Sequence, residues 1–132
     1  MEVVSGYAYH IKDSYFAMAN DPNLMQNKEQ GKYRPTLYCV RDKKTGVLWM
    51  VPISSQYEKF ESIRNKIIEK GKPCRGIILG EYAGKKAAYL LQNMFPITEK
   101  YIDHIHRNVR NIVKTNMLEY NYRMNTKDSG IS

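Results

Sequence analysis

The sequence predicts an α+β domain, a compact, highly curved antiparallel β-sheet or small barrel with helices inserted into it and following it. Three observations carry that expectation. Two pairs of β-rich runs are each joined by a short glycine-bearing turn. One stretch, Gln56 to Lys70, carries a clean apolar stripe at helical spacing. The 132 residues amount to one domain, long enough to bury a core without disulfide or metal. Residues 1–124 are read as that domain, and 125–132, polar and small, as a disordered tail.

Taken in order, Glu2 to Ile11 is rich in Val and Tyr with weak alternation and is read as a first strand. Asp13 is placed to cap a short helix reaching Asn20, with Tyr15, Phe16 and Ala19 at helical spacing. Asp21 to Tyr33 has no period, contains Pro22 and Gly31, and runs into Lys32-Tyr33-Arg34-Pro35, so it is a basic loop suited to function. Thr36–Arg41 and Val47–Ile53 form a hairpin around Asp42-Lys43-Lys44-Thr45-Gly46. The helix from Gln56 to Lys70 follows, with Tyr57, Phe60, Ile63, Ile67 and Ile68 on its stripe and Gly71 as its stop. Gly76–Tyr82 and Lys86–Gln92 form a second hairpin around Ala83-Gly84-Lys85. Pro96 breaks that strand, Thr98 caps a helix from Glu99 to Asn108 with Tyr101, Ile102 and Ile105 inward, and Val109 to Met124 is read as a further helix.

Lys and Arg number 21 against 13 Asp and Glu, a formal +8 with pI near 9.5, which favours a polyanionic partner, nucleic acid first. No N-terminal apolar signal is present, and no run approaches the ~18 apolar residues of a membrane span. Cys39 and Cys74 have no zinc spacing and read as unpaired thiols of a reducing cytoplasm. His104 and His106, two apart on the expected helix, would point to different faces, which disfavours a shared metal. No metal and no cofactor are expected.

The richest segment chemically is Val51-Pro52-Ile53-Ser54-Ser55-Gln56-Tyr57-Glu58-Lys59, where an apolar strand meets a helix. Unpaired N–H groups at a helix start, the Ser54 and Ser55 hydroxyls and the Lys59 ammonium one turn on suit an anion such as a phosphate. Ser55-Gln56-Tyr57-Glu58 is equally a capping box, with Ser55 satisfying the helix and Ser54 left for a cleft. Lys32 and Arg34 are read as holding phosphate charge. His10, at the end of the first strand, is the candidate acid or base because imidazole titrates near neutrality. Lys43, Lys44, Lys85 and Lys86 are candidate RNA contacts, although turn lysines are usually solvated charge. Tyr33, Tyr57 and Tyr82 are candidate base-stacking rings, although most tyrosines here must build the sheet.

The strings Tyr9-His10-Ile11-Lys12-Asp13, Asn27-Lys28-Glu29 through Arg34-Pro35, Trp49-Met50-Val51-Pro52-Ile53-Ser54-Ser55 and Gln92-Asn93-Met94-Phe95-Pro96-Ile97 resemble the protein component of type III toxin–antitoxin systems. These are the ToxN/AbiQ-like endoribonucleases, and the likeness is greatest to the CptN branch. The resemblance implies a Kid/MazF-like small barrel with added helices. It also implies a metal-independent ribonuclease that processes a small structured repeat RNA, is inhibited by it in a closed protein–RNA assembly, and when freed arrests growth or aborts phage infection. It places the family's hydroxyl pair on Ser54 and Ser55 and its basic residue on Arg34 or Lys32. Where ToxN-like members have a lysine within two residues of that pair, this chain has Gln56 and Tyr57, and Lys59 is the nearest substitute. The alternative is a non-catalytic RNA-binding module of the same fold.

Overall fold

Along the chain, the computed structural model describes residues 2–22, 24–29, 31–106 and 110–128. These form β1 (Ala8–Ile11), α1 (Asp13–Ala19), β2 (Lys28–Glu29), β3 (Lys32–Tyr33), β4 (Thr36–Arg41), β5 (Leu48–Ser54), α2 (Tyr57–Glu69), β6 (Ile78–Tyr82), β7 (Lys85–Tyr89), β8 (Phe95–Ile97), β9 (Ile102–Ile105) and α3 (Ile112–Asp128). Single 3-10 turns cover Leu91–Asn93 and Glu99–Tyr101. The expected helix boundaries at Asn108 and Val109, and residues 129–132, lie outside the described residues.

Seven strands join in the order β6-β7-β5-β4-β1-β9, with β8 also on β5, and every pairing is antiparallel. The outer edge of β5 is shared: Leu48 to Met50 pair with β8, and Ile53 and Ser54 pair with β7. Pro52, which has no N–H to give a ladder, sits where the partner changes. The β6–β7 turn has Ala83 and Gly84 both at positive φ, 54° and 82°, as a two-residue hairpin turn that follows the sheet's twist requires.

Period-2 alternation divides the core. Tyr9, Ile11, Tyr38 and Met50 pack with Tyr15 of α1 and Phe95, while Ala8, Leu37, Cys39, Val51 and Ile53 pack with Leu118 of α3. Phe60 pins α2 over Ile77, Ala88 and Leu90. The Cys39 thiol is buried, which pushes its pKa up to about 12. Among the described residues β6 and β9 are edges and do not pair with each other, so the sheet is open. Its curvature still brings the ring of Tyr82, at the end of β6, to 5.8 Å from that of His106, just past β9.

Phe95–Ile97, expected to break the strand, pairs with β5 as β8, and residues 125–128, expected in a disordered tail, continue α3. Three further expectations need correcting. The helix expected from Glu99 is absent: a 3-10 turn leads into β9, because Ile102, His104 and Ile105 supply the outer ladder of β1. Asp13 lies inside the first turn of α1 and caps nothing; its carboxylate accepts from Tyr33 and Asn27. Ser55 does not close a capping box. Gln56 is the N-cap of α2, without a side-chain cap, and it is Ser54 Oγ that accepts the Gln56 N–H, at 3.1 Å.

Candidate nucleic-acid interface and active centre

Tyr9, Thr36 and Pro52 form one row across β1, β4 and β5. The strands that begin or end just beyond that row therefore deliver their last residues to one rim of the sheet. His10 and Ile11 come from β1, Arg34 from the approach to β4, Ser54 and Ser55 from the end of β5, and Lys85 and Lys86 from the start of β7. With β4 between them, His10 and Ser54 stand on strands two spacings, roughly 10 Å, apart. The small hairpin β2–β3, a two-stranded sheet of its own, leans over this rim.

At one side of the rim lies a carboxylate that sequence reading did not single out. Glu29 Oε2 accepts the Ser54 hydroxyl at 2.6 Å and the Arg34 guanidinium at 2.9 Å. Its Oε1 accepts the Ser55 hydroxyl at 2.7 Å and the Ser55 N–H at 3.0 Å. Arg34 is buried and also donates to the carbonyls of Gln26 and Ile53. Burial pushes the Glu29 carboxyl up, but the two serine hydroxyls, the Ser55 N–H and the Arg34 charge together outweigh it and hold it below the ordinary carboxylate value. The available signal was a lone acid in the run Lys28-Glu29 to Lys32-Tyr33-Arg34.

The other side gathers all three histidines. His10 and His104 are register partners, stacked with ring centroids 4.4 Å apart and 19° between planes. His10 Nε2 hydrogen-bonds His106 Nδ1, one ring donating and the other accepting according to tautomer. His104 and His106 are two apart on an extended chain and so share a face; the expected helix would have separated them. A register shift between His10 and Ile11 marks a bulge, a device that re-aims side chains at sheet margins. Burial, then the charge of His104, lowers the His10 pKa, with Asp103 opposing. A cleft of about 110 Å³ opens here, lined by His10, Lys12, Asp13, Tyr33, Asp103 and His104. Among the described residues no group of three or more His, Cys, Asp or Glu is arranged to hold a metal ion.

Tyr33 joins the two halves. Its hydroxyl donates to Asp13 at 2.7 Å, its ring meets His10 edge-on at 6.2 Å, and the next residue is Arg34. Lys28 sits over the Tyr33 ring, and Lys86 over the Tyr57 ring, at 4.7 and 5.1 Å. Lys32 is exposed beside Tyr33. Lys59 is exposed one turn into α2 with its ammonium over the Phe60 ring, and its partner there is the ring rather than the serines. Lys43 and Lys44 do not belong to the rim. They occupy the β4–β5 turn at the other end of seven-residue β5, about 20 Å from Ser54.

An open, strongly curved antiparallel sheet with one rim rich in imidazole, hydroxyl and cationic groups defines a class by its fold: a small α+β domain. No protein-family model matches the chain, and no curated protein matches it. Among solved structures it is similar to a chain described under the words "A processed non-coding RNA regulates a bacterial antiviral system", with 14% identity, a TM-score of 0.55, and coverage of 93% of this chain and 78% of that one. That likeness shows a shared, ToxN-like fold. No helix among the described residues is long and apolar enough to cross a membrane.

Proposed function

We propose that this chain is the endoribonuclease toxin of a type III toxin–antitoxin system, of the ToxN/AbiQ-like kind and closest to its CptN branch, with a Kid/MazF-like sheet in which the barrel is left open. The observation that carries the reading is the rim itself: paired imidazoles and an anion-coordinating Ser54-Ser55-Arg34 group stand at one rim, two strands apart, of a fold shared with an RNA-linked antiviral system. Its partners are a small structured repeat RNA, which it processes and which inhibits it in a closed protein–RNA assembly, and cellular RNA, whose cleavage in the cytoplasm arrests growth or aborts phage infection.

The chemistry needs no group beyond the substrate and the protein. The substrate's 2′-oxygen attacks the adjacent phosphorus, the P–O5′ bond breaks, and the products are a 2′,3′-cyclic phosphate and a 5′-hydroxyl. One group must take the 2′ proton and another must protonate the 5′ oxygen. His10 and its partner His106 can exchange one proton between them, and the lowered basicity of His10 keeps its imidazole free to accept near neutrality. Ser54, Ser55, Arg34 and Lys59 are assigned to the charge that grows on the phosphoryl oxygens. Lys32, Lys85 and Lys86 hold flanking phosphates, with Tyr33 and Tyr57 offering ring faces to bases.

Incubating the purified protein with repeat-containing RNA in EDTA tests this. A ladder of defined fragments ending in cyclic phosphate is expected; a shifted but uncut band would leave only the RNA-binding module. That second reading draws its support from Glu29, which engages three of the four groups assigned to the phosphate, Ser54, Ser55 and Arg34.

A further inference from the structure

We propose that Glu29 holds the place of an RNA phosphate. Arg34, Ser54, Ser55 and the Ser55 N–H form a phosphate site that the β2–β3 hairpin closes with its own carboxylate and that an incoming phosphate opens by exchange. The identity of the ligand rests on the RNA reading above; the geometry of the site does not.

Four donors converge on the two oxygens of Glu29, two on each. This is the coordination an oxyanion requires, and a phosphate presents two non-bridging oxygens to the same fork. A general base would be placed otherwise. Donors that stabilise the carboxylate weaken it as a base, whereas an effective one titrates near the working pH.

Neither Ser54, fully buried, nor Arg34, 7% exposed, can be left without an acceptor cheaply. The hairpin therefore does not open onto nothing; its departure is coupled to arrival of another anion. The hairpin is free to make that exchange because it is hydrogen-bonded as a separate two-stranded sheet. Beyond the Glu29 contacts, it is tied down by Tyr33 to Asp13 and by Asn27 to Asp13 and the Ile11 carbonyl, while the Arg34 N–H closes its own base on the Asn27 carbonyl at 2.7 Å. Lys28 and Lys32 ride on it, so RNA that draws the hairpin outward places cations on its own backbone.

The test uses the whole chain, inorganic phosphate and an RNA made uncleavable by 2′-deoxy substitution. Glu29→Gln keeps an oxygen for the serines and removes the competing charge. It should bind phosphate and the uncleavable RNA at least about tenfold more tightly, the scale of a hydrogen bond to a charged group. Phosphate should raise its thermal midpoint more than that of the wild type. Weaker or equal binding by Glu29→Gln overturns the proposal. Should that variant not fold, hydrogen exchange on the wild type decides: phosphate should speed exchange of the Arg34 amide, and an unchanged rate overturns the proposal. The two readings fail separately. Tighter binding without any cleavage in either protein removes the nuclease and keeps the phosphate site; cleavage by the wild type that vanishes in Glu29→Gln, without tighter binding, makes Glu29 the base and removes the exchange.

Discussion

The Glu29 carboxylate and the Arg34 guanidinium meet at 2.9 Å with only 11% and 8% of their side chains exposed, five residues apart across the hairpin that leans over the rim. Such a pair constrains the chain whatever else it does, because removing one member strands the other.

Arg34→Ala should therefore act on stability as well as on RNA. Loss of the cation leaves the mostly covered Glu29 carboxylate with its serine donors but no balancing charge, at a cost of about 3 kcal/mol on the scale of a broken buried pair. Lys32→Ala, on an exposed strand, should lower RNA affinity with stability unchanged within about 0.5 kcal/mol. Urea denaturation of both variants checks the contrast; equal stability would show that Arg34 is not held as described.

The serines should separate in the order the hydrogen bonds set. Ser54 Oγ is fully buried, donates to Glu29 and accepts the Gln56 N–H, so Ser54→Ala should cost about 1–3 kcal/mol. Ser55 is exposed, and because it caps nothing Ser55→Ala should cost less than about 1 kcal/mol. Thermal melts of the two variants decide, and a larger loss at Ser55 would restore the capping box.

Acid should loosen the protein in two windows. His10 titrates below its ordinary 6.5, so between that value and its lowered one the unfolded chain binds the extra proton, and stability falls as pH drops through the window. Glu29 also titrates below its ordinary 4.5; its contribution is complete above that value and is lost as pH falls through the lower, folded one. His104→Asn removes the repulsive neighbour and should raise the His10 midpoint in an NMR titration, without restoring it fully, because burial is the larger cause. A midpoint that stays put would mean the stacked pair is not electrostatically coupled.

Affinity for structured RNA should fall steeply with salt as condensed counterions are released. Lys86→Ala should flatten that slope by about one unit, while Lys43→Ala, at the far end of β5, should leave it alone. Binding assays from low to high salt measure both, and an equal effect would enlarge the interface to the opposite end of the sheet.

Local pattern was enough where an element's own residues settle its fate. The stripe from Tyr57 to Ile68 gave α2, Thr36–Arg41 gave β4 residue for residue, and Ala83-Gly84 gave its turn. The basic rim was legible in part, since Ser54, Ser55 and Arg34 are adjacent to recognisable junctions. The tertiary structure alone decided the rest. Tyr101, Ile102 and Ile105 suit a helix as well as a strand, and the outer ladder of β1, with backbone groups that need partners, drew Ile102–Ile105 into β9. That single choice turned His104 and His106 from opposite faces onto one, beside His10. For Glu29 the one local signal, a lone acid in a basic loop, is ordinary until the fold sets Arg34, Ser54 and Ser55 around it. Periodicity records what neighbours in sequence share; which distant strands end at the same rim is fixed only by their pairing.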